Sequence, residues 1–80
     1  MRVYEPREQP PVGYQPPEIV YLVEFTDESQ DTCLGQAGGF KSEAEAEVVR
    51  ARLDAEGRHG PMRINMVPIH VRAEDWEYDR

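Results

Sequence analysis

Apolar and polar residues alternate most clearly in the segment Glu18–Thr26, EIVYLVEFT, which is rich in β-branched and aromatic residues. This composition and length are typical of a β-strand. Alternation places one set of apolar residues on one face, Ile19, Tyr21, Val23 and Phe25, and a second set on the other, Val20 and Leu22. Because both faces are apolar over most of the segment, the pattern predicts a central strand that is covered on both sides.

A polar turn and a second strand are predicted next. Residues 27–31 read DESQD, and residues 32–37 can pair back on the first strand as a hairpin. The three carboxylates of this turn could suggest calcium, but the turn lacks the glycine and the closing glutamate of an EF-hand loop. We therefore interpret it as a solvated turn. The following glycines, Gly35, Gly38 and Gly39, match no phosphate-binding motif and are predicted to end or bulge the second strand.

The helix signals are the strongest in the chain. Ser42 with Glu45 three residues later is the capping-box pattern, and Gly57 can take the left-handed conformation that ends a helix. These residues predict a helix over 42–56. Apolar residues at spacings of three and four, Ala46, Val49 and Leu53, form a row that predicts the centre of the buried face, with Val48 at its margin.

Residues 62–71, MRINMVPIHV, alternate as a strand does and shift phase beside Pro68. Because proline cannot donate to a ladder, this segment is predicted to be an edge strand or to contain a bulge. Together the elements predict an α+β fold: a small ββαβ unit, an antiparallel sheet with one helix packed on one face. We assign this domain to residues 18–73, between a Pro-rich flexible arm, 1–17, and an acidic aromatic C-terminal tail, 74–80.

Five of the seven prolines lie in the arm, where they favour extended backbone. Tyr4 and Tyr14 are its only large side chains that could anchor it, either on its own domain or on a neighbour. The simpler expectation is a flexible leader, whose residues 1–15 can be removed with the fold intact.

The tail carries the only tryptophan, Trp76, with Tyr78 among charged residues. Aromatic residues bury a large area while keeping a polar tip satisfied, which makes them common at interfaces. Trp76 therefore has two interpretations. It folds back on the uncovered face of the sheet and completes the core, or it contacts a partner.

Composition narrows the function classes. A net charge of −7 with a single lysine argues against direct nucleic-acid binding, which draws its affinity from basic residues. No secretory signal or membrane-length apolar run is recognisable, so we expect a cytoplasmic protein that does not bind membranes.

Cys33 is the only cysteine, and no Cys/His set has zinc spacing, so we expect no metal or cofactor. His59 and His70 lack a nucleophile or carboxylate at motif spacing, so we expect no catalytic residues and no enzyme.

A chain of 80 residues buries only about 60% of its unfolded surface, and one helix covers only one face of a sheet. The face that carries Val20 and Leu22 would then expose an apolar patch of the kind that marks association sites. We therefore expect a homodimer. The candidate interface residues are Val20, Leu22, Trp76 and Tyr78.

The strand around Tyr21, the run Gly38-Gly39-Phe40, the helix start SEAEAE at 42–47, and Glu74-Asp75-Trp76-Glu77 resemble small accessory proteins encoded by actinobacterial phages. The resemblance covers about residues 18–80 and implies a protein that binds a host protein and alters its activity. We therefore expect a non-enzymatic protein-protein interaction module. The alternative is an acidic nucleic-acid mimic or a modulator of a DNA-binding protein.

Overall fold

The computed structural model describes residues 9–80 and contains five elements: β1 (Glu18–Thr26), β2 (Cys33–Phe40), α1 (Glu43–Ala55), β3 (Met62–Ile69) and α2 (Ala73–Asp79). The strands form one antiparallel sheet in the order β2-β1-β3, with β1 in the centre. This confirms the predicted α+β fold with its ββαβ order. The sequence patterns did not predict α2, which occupies most of the acidic tail.

The chain divides into two compact units. The larger unit, Ile19–Pro68, contains the sheet and α1. The smaller unit contains residues 9–18 and Ile69–Arg80, so the described part of the predicted arm and the predicted tail belong to the same unit. Tyr4, the other predicted anchor of the arm, lies outside the described residues.

β2 continues to Phe40, beyond its predicted end at residue 37. Its register against β1 shifts twice, between Val23 and Glu24 and between Phe25 and Thr26. Each shift places an extra residue in β2, which is a bulge. Gly39 pairs with Leu22, and a Cβ at Gly39 would lie only 2.9 Å from the Leu22 Cδ2 atom. The glycines therefore let the strand continue with bulges instead of ending it.

α1 begins and ends where the local signals predicted. The Ser42 Oγ atom accepts a hydrogen bond from the Glu45 amide at 3.2 Å. At the other end Gly57 has a φ of 72°, and its amide donates to the Asp54 carbonyl at 3.1 Å. A left-handed glycine at this position satisfies carbonyls that the helix leaves free. The predicted cap and stop are confirmed.

The hydrophobic core is small. Val23 and Ala46 are its only completely buried hydrophobic residues within 9–80. The predicted helix row does face inward, since Val49 and Leu53 are half-buried and Val48 is exposed at the margin. Within this row Ala46 is the most deeply buried residue, because α1 approaches the glycine-rich β2 closely and a short side chain fits best there.

β3 is the second edge of the sheet and ends at Ile69, two residues before its predicted end. Near its start the Thr26 amide donates to the Pro61 carbonyl at 2.9 Å. Pro68 is the next-to-last residue of the strand. An edge position suits proline, which has no amide hydrogen to contribute to a ladder. The predicted edge strand is confirmed.

Candidate functional site

A polar network joins the three strands on the face of β1 opposite Val23. Glu24 is only 4% exposed, and its carboxylate accepts hydrogen bonds from the Arg63 Nε atom at 2.8 Å and the Asn65 Nδ2 atom at 3.3 Å. The Arg63 bond is the main cause that lowers the pKa of Glu24, with smaller contributions from Asn65 and Gln36. β1, β2 and β3 each contribute to this network, so it holds the strands together.

The network divides that face of the sheet into a polar end and an apolar end. Val20 and Leu22, the two predicted interface residues on β1, are half-buried at the apolar end. Alternation along the sequence assigned only Val20 and Leu22 to this face as apolar residues and did not reveal the partners of Glu24. The available signal was the polar position of Arg63 and Asn65 in the alternating segment of β3, and only the strand order brings these residues to Glu24.

The carboxylate of Asp27 is used to close the polar turn. Its Oδ1 atom accepts hydrogen bonds from the Ser29 hydroxyl at 2.7 Å and from the amides of Asp31 and Thr32. The Ser29 bond is the main cause that lowers the pKa of Asp27. No three metal-binding side chains cluster among residues 9–80. The turn is therefore explained by its own hydrogen bonds.

His59 contacts the end of α1. Its Nε2 atom lies 2.7 Å from the Glu56 Oε1 atom, and its ring stacks on Phe25 at a centroid distance of 5.4 Å. Arg58 donates to the same Glu56 oxygen at 3.2 Å. The bond from His59, followed by that from Arg58, lowers the pKa of Glu56. These contacts tie the loop after α1 to β1.

The smaller unit contains a second polar cluster, which begins with a tight turn. The Tyr14 amide donates to the Pro11 carbonyl at 3.0 Å, and Gly13 has a φ of 76°. A left-handed residue at the third position is typical of a type II turn. The Arg72 guanidinium packs against Gly13, where a Cβ atom would lie 3.5 Å from the Arg72 Nη1 atom.

Two carboxylates of α2, Asp75 and Asp79, complete the cluster and lie four residues apart on one helix face. Asp79 accepts a hydrogen bond from the Tyr14 hydroxyl at 2.7 Å, and its other oxygen is 2.8 Å from the His70 Nε2 atom.

Asp75 is completely buried and accepts from the Arg72 Nη2 atom at 2.7 Å and from the Gln15 amide at 3.4 Å. We call residues 11–15, His70, Arg72, Asp75, Tyr78 and Asp79 the terminal clasp.

The hydrogen bonds within the terminal clasp shift the pKa values of three of its side chains. The Tyr14 hydroxyl and then His70 lower the pKa of Asp79. The Arg72 guanidinium is the main cause that lowers the pKa of Asp75. The hydrogen bond to Asp79 raises the pKa of Tyr14 to about 12. Both carboxylates therefore act as anions that hold donors from elsewhere in the chain.

The clasp changes the interpretation of the Pro-rich arm. Tyr14 contacts α2 through its hydroxyl and its ring, so residues 11–15 have an anchor within the smaller unit. Removal of residues 1–15 would leave Asp75 and Asp79 each without one donor. From these contacts we predict that removal of residues 1–15 reduces the order of the smaller unit, in place of the flexible leader expected from the prolines.

The two aromatic residues of α2 have different surroundings. Tyr78 is half-buried and packs edge-on against Tyr14 at a centroid distance of 5.2 Å. Trp76 is 49% exposed, and the Arg80 guanidinium lies 5.4 Å from its ring centroid. The interpretation in which Trp76 completes the core does not fit this exposure. Of the predicted interface residues, Trp76 is the one with the largest exposed aromatic surface.

Comparisons of the chain with protein-family models, curated proteins and solved structures find no match. Among the described residues, no helix has the length and apolar character needed to cross a membrane. What the chain does must therefore be inferred from its own residues.

Proposed function

We propose that this protein is a non-enzymatic binding module that acts by occupying a surface on another protein. The observation that supports this most directly is Trp76, which is 49% exposed on a helix whose Asp75 and Asp79 face is held in the terminal clasp. Tryptophan is among the residues that contribute most to protein interfaces, since one side chain removes a large apolar area from water. A fixed helix with an exposed tryptophan has the geometry of a binding anchor.

The smaller unit exposes further large hydrophobic residues besides Trp76: Val12, Ile69 and Val71. Single exposed apolar residues are normal on protein surfaces. Together with Trp76 these residues supply exposed apolar area that a partner could bury.

The resemblance to accessory proteins of actinobacterial phages gives this proposal its context. A phage accessory protein works in the cytoplasm of its host, so the proposed partner is a host protein. The proposed mode of action is occupation of a surface that the host protein needs for its own contacts.

The acidic charge is the main support for the alternative, a nucleic-acid mimic. A mimic needs rows of free carboxylates, whereas several carboxylates here are held by internal cations. Glu47 pairs with Arg50, and Asp75 pairs with Arg72. These internal pairs favour the aromatic anchor over the mimic.

Trp76→Ala is expected to weaken binding of a captured host protein by about 2 kcal/mol, roughly thirtyfold in Kd, as loss of an interface hot spot does. The partner would first be isolated from an actinobacterial lysate and purified, and Kd would then be measured by calorimetry at 50 and 300 mM salt. The matched control is Val48→Ala, which alters an exposed apolar residue of α1 in the larger unit. An unchanged Kd for Trp76→Ala together with a steep salt dependence would support the mimic instead.

We also propose that the protein is a homodimer through the apolar end of the sheet face that carries Val20 and Leu22. The polar network of Glu24 occupies the rest of that face, so the contact would be confined to these residues and their neighbours. A two-fold contact of this kind would bury the same patch on both copies.

Leu22→Asp is expected to convert a dimer into a monomer, because it places a charge in the centre of the proposed contact. Sedimentation equilibrium at micromolar concentration measures the mass directly. Leu34→Asp is the control, because Leu34 lies on the edge strand β2 and is already 66% exposed. A wild-type protein with the mass of one chain would refute the dimer.

A further inference from the structure

α2 has little stability of its own. It has only seven residues, and its N-cap residue, Arg72, makes no side-chain capping hydrogen bond. Asp79 lies in its last turn, where the helix dipole disfavours negative charge. Isolated helices shorter than about 12 residues are marginal in water, so α2 needs contacts from outside the helix.

Those contacts come from the two carboxylates and from Tyr78. Asp79 bonds to Tyr14 and His70, neither of which belongs to α2. The Asp75 carboxylate accepts a hydrogen bond from the Gln15 amide, and this bond offsets part of the free energy lost when the carboxylate is completely buried. Tyr78 adds the ring contact with Tyr14. Residues 14 and 15 therefore contact three residues on one face of the helix, Asp75, Tyr78 and Asp79.

We propose that residues 11–15 form a strap and that docking of this strap through Tyr14 and Gln15 stabilises α2 in its helical state. Docking and helix formation are then linked, so whatever removes one weakens the other. The strap would also determine whether Trp76 is presented on a formed helix. That last consequence rests on the proposed function, whereas the link itself does not.

The titratable groups around the Tyr14–Asp79 hydrogen bond determine the pH range in which this bond can form. Asp79 faces Tyr14 from the strap, His70 from the segment after β3, and Asp75 from its own helix. Tyr14 faces Asp79, Asp75 and Tyr78. A neutral tyrosine donates to a carboxylate, but an ionised tyrosine cannot donate and is repelled by it.

The direction of the pH effect follows from these groups. The pKa of Tyr14 rises from 10.0 to about 12 in the folded chain, so its contribution is complete below pH 10 and is lost as pH rises towards 12. The lowered pKa of Asp79 has the opposite consequence. Its contribution is complete above its ordinary value of 3.8 and is lost as pH falls below it.

The test uses the full chain with Tyr14→Ala, which removes the ring and the hydroxyl, and Tyr14→Phe, which removes the hydroxyl alone. Hydrogen exchange by NMR would follow the amides of Trp76 and Arg80, which donate within and at the end of α2. We expect about tenfold faster exchange in Tyr14→Ala and a smaller increase in Tyr14→Phe. Tyr21→Phe is the matched control, because Tyr21 belongs to the larger unit.

The amide of Ala46, which donates to the Ser42 carbonyl in α1, reports on the larger unit and should be unchanged in all variants. Unchanged exchange in α2 for Tyr14→Ala would overturn the strap. Equal acceleration at Ala46 would also overturn it, because the effect would then be general and not specific to α2. Neither result involves a partner, so the strap and the role of Trp76 in binding can fail separately.

Discussion

Val23→Ala is expected to lower the free energy of unfolding by about 2 kcal/mol, through lost apolar contacts and the cavity left behind. Val23 is completely buried on the central strand, and Ala46 is the only other hydrophobic residue buried to this extent among residues 9–80. A core this small has few neighbours that can move into the cavity. The loss is a large part of the stability available to a chain of this length.

Urea unfolding followed by circular dichroism would measure the change in free energy, with an unchanged m-value as the check that only stability has altered. Val48→Ala is the matched control, since Val48 is the same residue type but is 42% exposed on α1. The expected loss of unfolding free energy in the control is less than half of that in Val23→Ala. Equal losses for the two variants would show that Val23 is not at the centre of the core.

The parts of the fold that the sequence predicted depend on local chemistry. The cap at Ser42 and the stop at Gly57 involve residues within one turn of the helix, so they can be recognised from spacing alone. The central strand was recognisable because alternation shows directly which residues share a face. The inward row Ala46, Val49 and Leu53 was recognisable from its spacing, but which member is most deeply buried was not, because that depends on how closely α1 approaches β2.

α2 and the terminal clasp could not be predicted in this way. The segment Ala73–Asp79 has no side-chain cap, and Asp79 places a negative charge in its last turn, so the local signals for a helix are weak despite the acidic first turn. Its main support comes from residues such as Tyr14, 65 positions away from Asp79 in the chain. Residue type did single out Tyr14 as a side chain that could anchor the arm, and Trp76 as a candidate for either the core or an interface. The contacts that orient them depend on tertiary structure.

Arg63→Met is expected to lower the melting temperature by roughly 10 °C at pH 7, because it leaves the Glu24 carboxylate buried without its cation. The decrease in melting temperature should be smaller than for a buried carboxylate with no partners, since Asn65 and Gln36 still donate hydrogen bonds to Glu24. Arg50→Met is the control. Arg50 pairs with Glu47 on the exposed side of α1, where an ion pair contributes little to stability.

A double-mutant cycle with Glu24→Gln separates the ion pair from the packing of the arginine chain. If the loss comes from an unpaired buried charge, Glu24→Gln should restore part of the melting temperature in the Arg63→Met background, because a neutral amide is cheaper to bury. No restoration would mean that Arg63 stabilises the sheet through its apolar stem and its bond to the Gln30 carbonyl.

The pH dependence of stability tests the Glu24–Arg63 pair independently. The folded-state pKa of Glu24 lies below its ordinary value of 4.5, so its contribution to stability is complete above pH 4.5 and is lost as pH falls below the lowered value. Wild-type stability should therefore fall in acid through this group. In Arg63→Met the largest cause of the lowered pKa is absent, so this part of the acid dependence should shrink, and the melting temperatures of the two proteins should converge as pH decreases. A difference that stays constant down to pH 3 would show that Glu24 is not the group that Arg63 stabilises.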